Sequence, residues 1–564
     1  MKLLLTLGHN SSAIGVTDDN KIIAGYEEER LNREKSSSKF PKLAINKILE
    51  IHNPTGEENI IYVSHWFDNF KFVNCTEKHW DKKFITDLCN QYNFKVISLD
   101  YSFTHHDAHL YSVLGFYKDK IKKNFNGHAI IADGFGNMQE VYSVYEIKEG
   151  TPIKLLRNHN LKNSLGLMYQ YATSFVGMKE NQDEYKFLGY EAHIAELLTE
   201  EDLTILERRA NKEIIKFANT IEDYIIGSIS KDSEINIDAI LDIKTYWWEI
   251  YQQLIDELCL SKTDVMKLRA TIGHFIQNII EGCNKIIIEK FNIKNLLVSG
   301  GIFYNVKLNN YLMNNTQEFC VIPLAGDQGA AIGLYNYKEM NTLPFWDMCF
   351  GIRDLSNGKK FDNGDDILYF EDKEKMVEFV TSELSKNNIV EVVTGNMEFG
   401  PRALCNTSTI MLPHTDNVML INELNKRNTI MPMAPIIRKE DAEYFFSKSD
   451  LEKVKASDEY MIITYKYNDN VEYNKYSGIM HHYKSENIFT GRPQFLTDKD
   501  NYIHKVLTNL SEANISKACV NTSFNYHGVP IVNTVEDAIE DFNKQKSNMP
   551  KDNNTKIFLV IGNF

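Results

Sequence analysis

The chain has 564 residues, too many for one ordinary hydrophobic core, so two or more domains are expected. Its 43% hydrophobic and 25% charged residues are the mix of a folded globular protein and exclude disorder over any large fraction. A net charge of −15 repels a polyanion, so no long nucleic acid is expected as a partner, whereas a mononucleotide in a locally basic pocket remains compatible. The eight cysteines are scattered, with no C-x-x-C pair, which suits reduced thiols in a cytoplasmic enzyme better than a disulfide framework. The opening MKLLLTLGHNSSA has an apolar run too short for a secretory signal. No apolar stretch approaches bilayer-spanning length, so no membrane partner is expected.

In chain order, residues 1–30 read as three strands, KLLLTLGH, SAIGVTDD and KIIAGYEEE, with Asp18-Asp19-Asn20 as a hairpin turn. A helix, PKLAINKILEIH, and a strand, IIYVS, follow. This β-β-β-α-β opening resembles the start of the actin-like ATPase fold. The pattern restarts near residue 127 with HAIIADGFG and VYSVYEI, so a duplicated unit is expected. Residues 200–292 lack strand signals and read as helices. From 293 the α/β rhythm returns: strand NLLVSGG, helix VKLNNYLMNN, strand CVIPLAG, helix DQGAAIGLYNYKEM. The stretch 341–365, rich in Pro, Gly, Asn and Asp, marks a boundary and gives domains of 1–355 and 366–564. The second contains a helix (KEKMVEFVTSELSK), a strand (IVEVVT), a polar loop and later strands YMIITYKY, KACVNTS and KIFLVIGNF, an α+β domain.

His105 and His109, in His-His-Asp-Ala-His, lie four residues apart and share one face if helical, a common half-site for a divalent metal. For such a pair alone, a solvated helix start is the commoner outcome. Asp133, in Ala-Asp-Gly-Phe-Gly, and Asp327, in Ala-Gly-Asp-Gln-Gly, shift that balance. Both follow apolar strands, and ligands gather at strand carboxyl ends in α/β sheets. A set of two histidines and two carboxylates suits Fe(II), Mn or Zn with positions left open. The competing reading of each Asp is turn formation or helix capping. Gly300-Gly301, after the strand NLLV, can present backbone N–H groups to a phosphate, and the turns at Asp133-Gly134 and Gly326-Asp327 add two more of the same kind, which favours nucleotide binding.

Further blocks carry a resemblance. They are G-H-N-S-S-A with E-E-E-R-L-N-R-E-K, the H-H-x-A-H motif, N-S-L-G-L-M-Y (163–169), E-Y-K-F-L-G (184–189), S-G-G-I-F-Y-N (299–305) and G-D-Q-G-A-A-I-G (326–333). The most specific are Met397-Glu398-Phe399-Gly400-Pro401-Arg402-Ala403-Leu404, then Met431-Pro432-Met433-Ala434-Pro435, Gly491-Arg492-Pro493-Gln494, and Asn521-Thr522-Ser523-Phe524-Asn525. In this order, over nearly the whole chain, they resemble the O-carbamoyltransferases grouped with nodulation protein U and the cephamycin and nebramycin antibiotic enzymes.

The resemblance implies an α/β fold with a duplicated actin-like (ASKHA) N-terminal domain and a smaller YrdC-like α+β C-terminal domain. It implies that the small domain makes carbamoyl-adenylate from carbamoyl phosphate and ATP with Mg2+, and that the large domain, through a metal that is commonly iron, passes the carbamoyl group to an acceptor hydroxyl. Arg402, Lys426, Arg427 and Arg492 are the cations available to these anions. Asn521, Ser523 and Asn525 would bond the adenylate, although Asn-Thr-Ser after a strand also makes ordinary turns. Gly300, Gly301 and Asn305 are carried over as nucleotide-binding, and His9, Asn10 and Lys186 as catalytic. For His9, a general base and a structural histidine are equal readings. The chain departs from the family at Asn10 (usually Asp), Asn396 (usually Arg), Cys405 (usually Gly) and at Asn428 and Thr429. The short chain with M-P-x-A-P resembles phage-type members, which favours a hydroxymethyl pyrimidine nucleotide as the small-molecule acceptor, and a homodimer is left open. The competing readings are a tRNA threonylcarbamoyl-transfer protein, an actin-like metabolite kinase and a non-catalytic nucleotide-binding regulator.

Overall fold

The computed structural model describes residues 1–56, 58–66, 80–225, 237–344, 347–427, 433–482 and 488–564. Strands β1 (Lys2–Thr6), β2 (Ser12–Val16), β3 (Ile22–Glu27), β4 (Asn59–Trp66) and β5 (Phe94–Leu99) form a five-stranded sheet in the order β3-β2-β1-β4-β5. β1 pairs antiparallel with β2 and parallel with β4, which places it at the centre. Leu3, Leu4 and Leu5 are accordingly buried on both faces. Asn20 ends the β2–β3 turn at a φ of 63°, a conformation that Asn adopts more readily than most residues.

The second sheet repeats the first. Strands β6 (Gly127–Ala132), β7 (Tyr142–Lys148), β8 (Thr151–Asn158), β9 (Asn295–Ser299) and β10 (Glu318–Val321) run in the order β8-β7-β6-β9-β10. The antiparallel and parallel pairings match those of the first sheet one for one. This is the duplicated actin-like arrangement, two sheets of equal topology. The strand-free stretch folds, over its described residues, as helices Glu200–Ile221, Ile237–Glu257 and Val265–Lys290, inserted between β8 and β9. Helices His105–Ile121 and Asp327–Glu339 pack on each other and against the sheets. A Cβ on Gly333 would lie 1.7 Å from the Ala108 carbonyl oxygen, so only glycine lets the two helices cross this closely.

The C-terminal strands are β11 (Ile367–Phe370), β12 (Ile389–Thr394), β13 (Thr407–Met411), β14 (Ala434–Arg438), β15 (Tyr465–Lys466), β16 (His481–His482), β17 (Phe489–Gly491), β18 (Gln494–Leu496), β19 (Ala518–Ser523) and β20 (Ile557–Gly562). Seven of them form a mixed sheet, β11-β20-β12-β13-β19-β14-β18, and three form a small one, β15-β17-β16. Alternation along β12 feeds two cores. Val390 and Val392 pack with Met376, Leu384 and Leu507 from helices Lys373–Ser385 and Tyr502–Glu512, while Ile389 and Val393 belong to the cluster that holds Phe542 of helix Val535–Ser547. This is the smaller α+β unit expected.

YMIITYKY is not the strand it reads as. Only Tyr465–Lys466 pairs in a sheet. The Ile462 and Thr464 carbonyls instead accept hydrogen bonds from the side chains of Asn309 and Asn310, each 2.7 Å long. Side-chain amides of the first domain thus replace a strand ladder. The domains meet elsewhere through backbone hydrogen bonds, with Gly351 and Met397 exchanging a pair of 3.0 and 2.8 Å and Phe399 N–H donating to Met348 at 2.7 Å. Phe350 packs on Phe399 with ring centroids 5.1 Å apart, while Phe345 and Trp346 lie outside the described residues. Arg353 donates to the Thr394, Gly395 and Asn406 carbonyls at 2.8, 2.9 and 3.1 Å. The domains are therefore docked firmly.

Candidate active site

The metal-type residues converge. Thr104 and Asp107 form a reciprocal capping box that starts the His105–Ile121 helix, and the four-residue spacing then puts His105 and His109 on one face. The Nε2 atoms of His105 and His109 lie 3.1 Å apart. Asp133, at the end of β6, places Oδ2 3.3 Å from each of them. Asp327, the first residue of its helix, places Oδ1 at 3.3 and 3.6 Å. Two ligands about 2.1 Å from one ion and roughly at right or tetrahedral angles sit about 3.0–3.4 Å apart, so this donor set fits a single divalent cation. His109 Nδ1 faces Ser299 Oγ at 3.3 Å, an outer contact that fixes the ring with Nε2 inward. Burial alone would lower the His105 pKa, but Asp133 and Asp327 raise it to about 10, and the two imidazoles hold Asp133 at about 2 despite its burial. His106 does not take part. It is buried, its Nδ1 meets Ser143 Oγ at 2.8 Å, and burial keeps it neutral with a pKa of about 3.

His9 sits at the β1–β2 turn with Asp327 and Glu29 near enough to raise its pKa. His9 is an exposed residue, yet desolvation outweighs these carboxylates and lowers its pKa. Asn10 adopts a left-handed φ of 55°, which explains an Asn at that position by turn geometry. Lys186 binds Asp183 at 2.7 Å, and its charge, with those of Lys35 and Arg427, faces His527. Gly300 N–H donates to the Ala325 carbonyl at 2.8 Å, and Asn305 caps its helix by accepting from Lys307 and Leu308 N–H. Asn305 also donates to Gln277 at 2.7 Å, so its side chain is spoken for by the fold, as is the Gly300 amide.

The signature loop is organised by Glu398, whose Oε1 accepts from the N–H groups of Leu404, Asn406 and Thr407 at 2.8–2.9 Å. That carboxylate was legible as part of the motif but not as its anchor. The loop delivers Arg402, whose Nε is buried with no hydrogen-bond partner among the described residues. Burial lowers the pKa of Arg402, and burial followed by the charge of Arg402 lowers that of Arg492. Arg492 in turn helps burial hold His481 at about 3. Among the described residues neither arginine pairs with a carboxylate. Two adjacent, partly buried guanidiniums with no carboxylate partner among the described residues could hold an anion. Tyr304 lies between this site and the other: its buried hydroxyl faces the Gly326 backbone, and Arg402 and Asp327 are near it. Sequence reading missed Tyr304, although it lies inside the S-G-G-I-F-Y-N block.

Arg427 binds the end of β19, donating to Thr522 Oγ1 at 3.1 Å and the Ser523 carbonyl at 3.3 Å. Ser523 Oγ donates to Asn525 Oδ1 at 2.6 Å, and the Asn525 amide to Tyr526 and Val529 carbonyls, which is turn chemistry. Asn521 donates to Ala403 O and Gln494 Oε1 at 2.8 and 2.7 Å, tying the signature loop to the R-P-Q block. Lys426 is exposed at a φ of 51°, outside this network of contacts. Residues 428–432, with Asn428, Thr429, Met431 and Pro432, lie outside the described residues.

Two family models match the chain, carbamoyltransferase N-terminus over residues 60–334 and carbamoyltransferase C-terminus over 381–551. The chain belongs to the carbamoyltransferase family. This carbamoyltransferase is 26% identical over 548 residues to an uncharacterized protein of Methanocaldococcus jannaschii, with 95% of each chain covered. It is 25% identical over 567 residues to the nodulation protein NolNO of Sinorhizobium fredii, covering 95% of this chain and 77% of that one. Among solved structures, an activator of 2-hydroxyisocaproyl-CoA dehydratase from Clostridium difficile with bound ADPNP aligns over 60% of this chain and 94% of its own, at 12% identity and a TM-score of 0.32. No described helix is long and apolar enough to cross a membrane.

Proposed function

We propose that this carbamoyltransferase works in two steps at two joined sites. Carbamoyl phosphate first loses its phosphate to water. The freed carbamate oxygen then attacks the α-phosphorus of ATP, with Mg2+ on the departing pyrophosphate, to give carbamoyl-adenylate. An acceptor hydroxyl, for which a hydroxymethyl pyrimidine nucleotide is our candidate, next attacks the carbamoyl carbon and releases AMP. The observation that carries this reading is the pair of partly buried guanidiniums, Arg402 and Arg492, bordered through Tyr304 by the His105, His109, Asp133 and Asp327 cluster. A phosphate-rich intermediate would sit in that arrangement with its anion at the arginines and its carbamoyl end toward the large domain. Arg427, Lys186 and Lys35 add positive potential along the domain junction. His9 would take the acceptor proton. A divalent ion, with Fe2+ the first candidate and Mn or Zn next, would be held by the four-residue cluster and supply charge neutralisation at the phosphate.

The test is incubation with ATP and carbamoyl phosphate, following pyrophosphate and AMP, with hydroxymethyl-dCMP as acceptor and mass spectrometry for a gain of one carbamoyl group. Pyrophosphate that depends on both substrates is expected. ADP in its place would favour a kinase and contradict the proposal.

A further inference from the structure

Arg30 belongs to the large domain, in the short helix Glu28–Asn32 that follows β3, yet its guanidinium is 4% exposed and faces the small domain. Nη2 donates to the Gly400 carbonyl at 2.8 Å, inside the signature loop and two residues before Arg402. The same group is gripped by Glu27 at 3.0 Å and Glu29 at 2.8 Å. Glu27 accepts in turn from the Gln328 amide at 3.4 Å, and Gln328 is the residue after Asp327. A buried chain of polar contacts therefore runs from the Asp327 helix through Gln328, Glu27 and Arg30 to Gly400 and the Arg402 loop. The same two segments also touch directly. Gly400 has a φ of 101°, and a Cβ there would lie 2.8 Å from Leu324, which leads into Gly326 and Asp327.

We infer that Arg30 is a positioning residue that fixes the small domain's anion site in register with the large domain's metal-type cluster, so that the adenylate passes between them without meeting water. The inference rests on the two-step reading above. Its physical basis is that a planar guanidinium can hold a carbonyl and two carboxylates in one fixed fan, which a flexible ammonium or a neutral amide cannot. Losing that fan leaves both sites built but free to drift, and a mixed anhydride handed across a loosened junction is hydrolysed.

The measurement uses the full chain with ATP and carbamoyl phosphate and no acceptor. ATP–pyrophosphate exchange reports adenylate formation and its reversal, and net AMP release reports loss of adenylate to water. In Arg30→Gln, the ratio of AMP release to exchange is expected to rise at least tenfold, with bound metal unchanged and only partial recovery in Arg30→Lys. Gln328→Leu, which breaks the link one step away without removing a charge, is expected to raise the ratio in the same direction and serves if Arg30→Gln does not fold. A merely structural role would slow both rates together, and an unchanged ratio in a folded variant overturns the coupling. Absence of exchange in the unaltered protein overturns the two-step reading and this inference with it.

Discussion

At the scale of single residues, the best-read part of the site is the metal-type cluster. His105, His109, Asp133 and Asp327 each sit in a short motif at a helix start or strand end, where local geometry fixes the direction of the side chain. Removing one of four ligands should cost most of the affinity, so His109→Ala is expected to purify with little of the metal that the unaltered protein carries, by elemental analysis; equal content would sink the assignment. Cys405, where the family resemblance leads to an expectation of Gly, is held at a φ of 82°. A side chain there carries strain of about 1 kcal/mol or more. Cys405→Gly should therefore be more stable than Cys405→Ala by about 1 kcal/mol in denaturant melts, the reverse of the usual order of these residues. Glu391 was not singled out by sequence, because a lone Glu in an apolar strand carries no motif. Burial raises its pKa to about 7, although a hydrogen bond from Thr409 opposes the shift. With the folded value above the unfolded one, the unfolded chain ionises first, so stability falls as pH rises from about 4.5 to 7, by about 3 kcal/mol. Glu391→Gln should remove that part of the slope and melt higher than the unaltered protein above pH 7.

At the scale of elements, the duplicated sheets were legible because hydrophobic runs and Gly turns recur in the same order in both halves. The YMIITYKY segment was misread because its apolar, β-branched residues satisfy strand propensity equally well when they cross a domain junction. Propensity sees the pattern of burial and not the partner, which here is Asn309 and Asn310. The phosphate turns show the converse limit. Asn305, Ser523 and Asn525 stand in the expected blocks, yet their side chains are used for a helix cap and for turns. The capping box of the His105–Ile121 helix is testable. Thr104→Ala removes the acceptor for Asp107 N–H and should cost about 1 kcal/mol of stability. Because His105 is the first residue of that helix, metal affinity should fall as well, by titration of the apo protein, while a distant cap such as Thr534→Ala should cost similar stability and leave affinity intact.

At the scale of the whole molecule, the domains are joined around the signature loop. Glu398 shapes the signature loop, Arg30 holds Gly400, and Tyr304 borders both Arg402 and Asp327. None of this junction is a sequence-local property, which is why the motifs could be found one by one but their meeting could not. In the proposed scheme the small domain forms carbamoyl-adenylate and the large one transfers the carbamoyl group. The direct measurement is carbamoyl-phosphate-dependent pyrophosphate release by Arg402→Ala and by His105→Ala, each checked for folding. Arg402→Ala is expected to lose release, whereas His105→Ala is expected to retain it and to lose carbamoylation of the acceptor. Loss of pyrophosphate release in His105→Ala as complete as in Arg402→Ala would contradict the division of labour between the two sites.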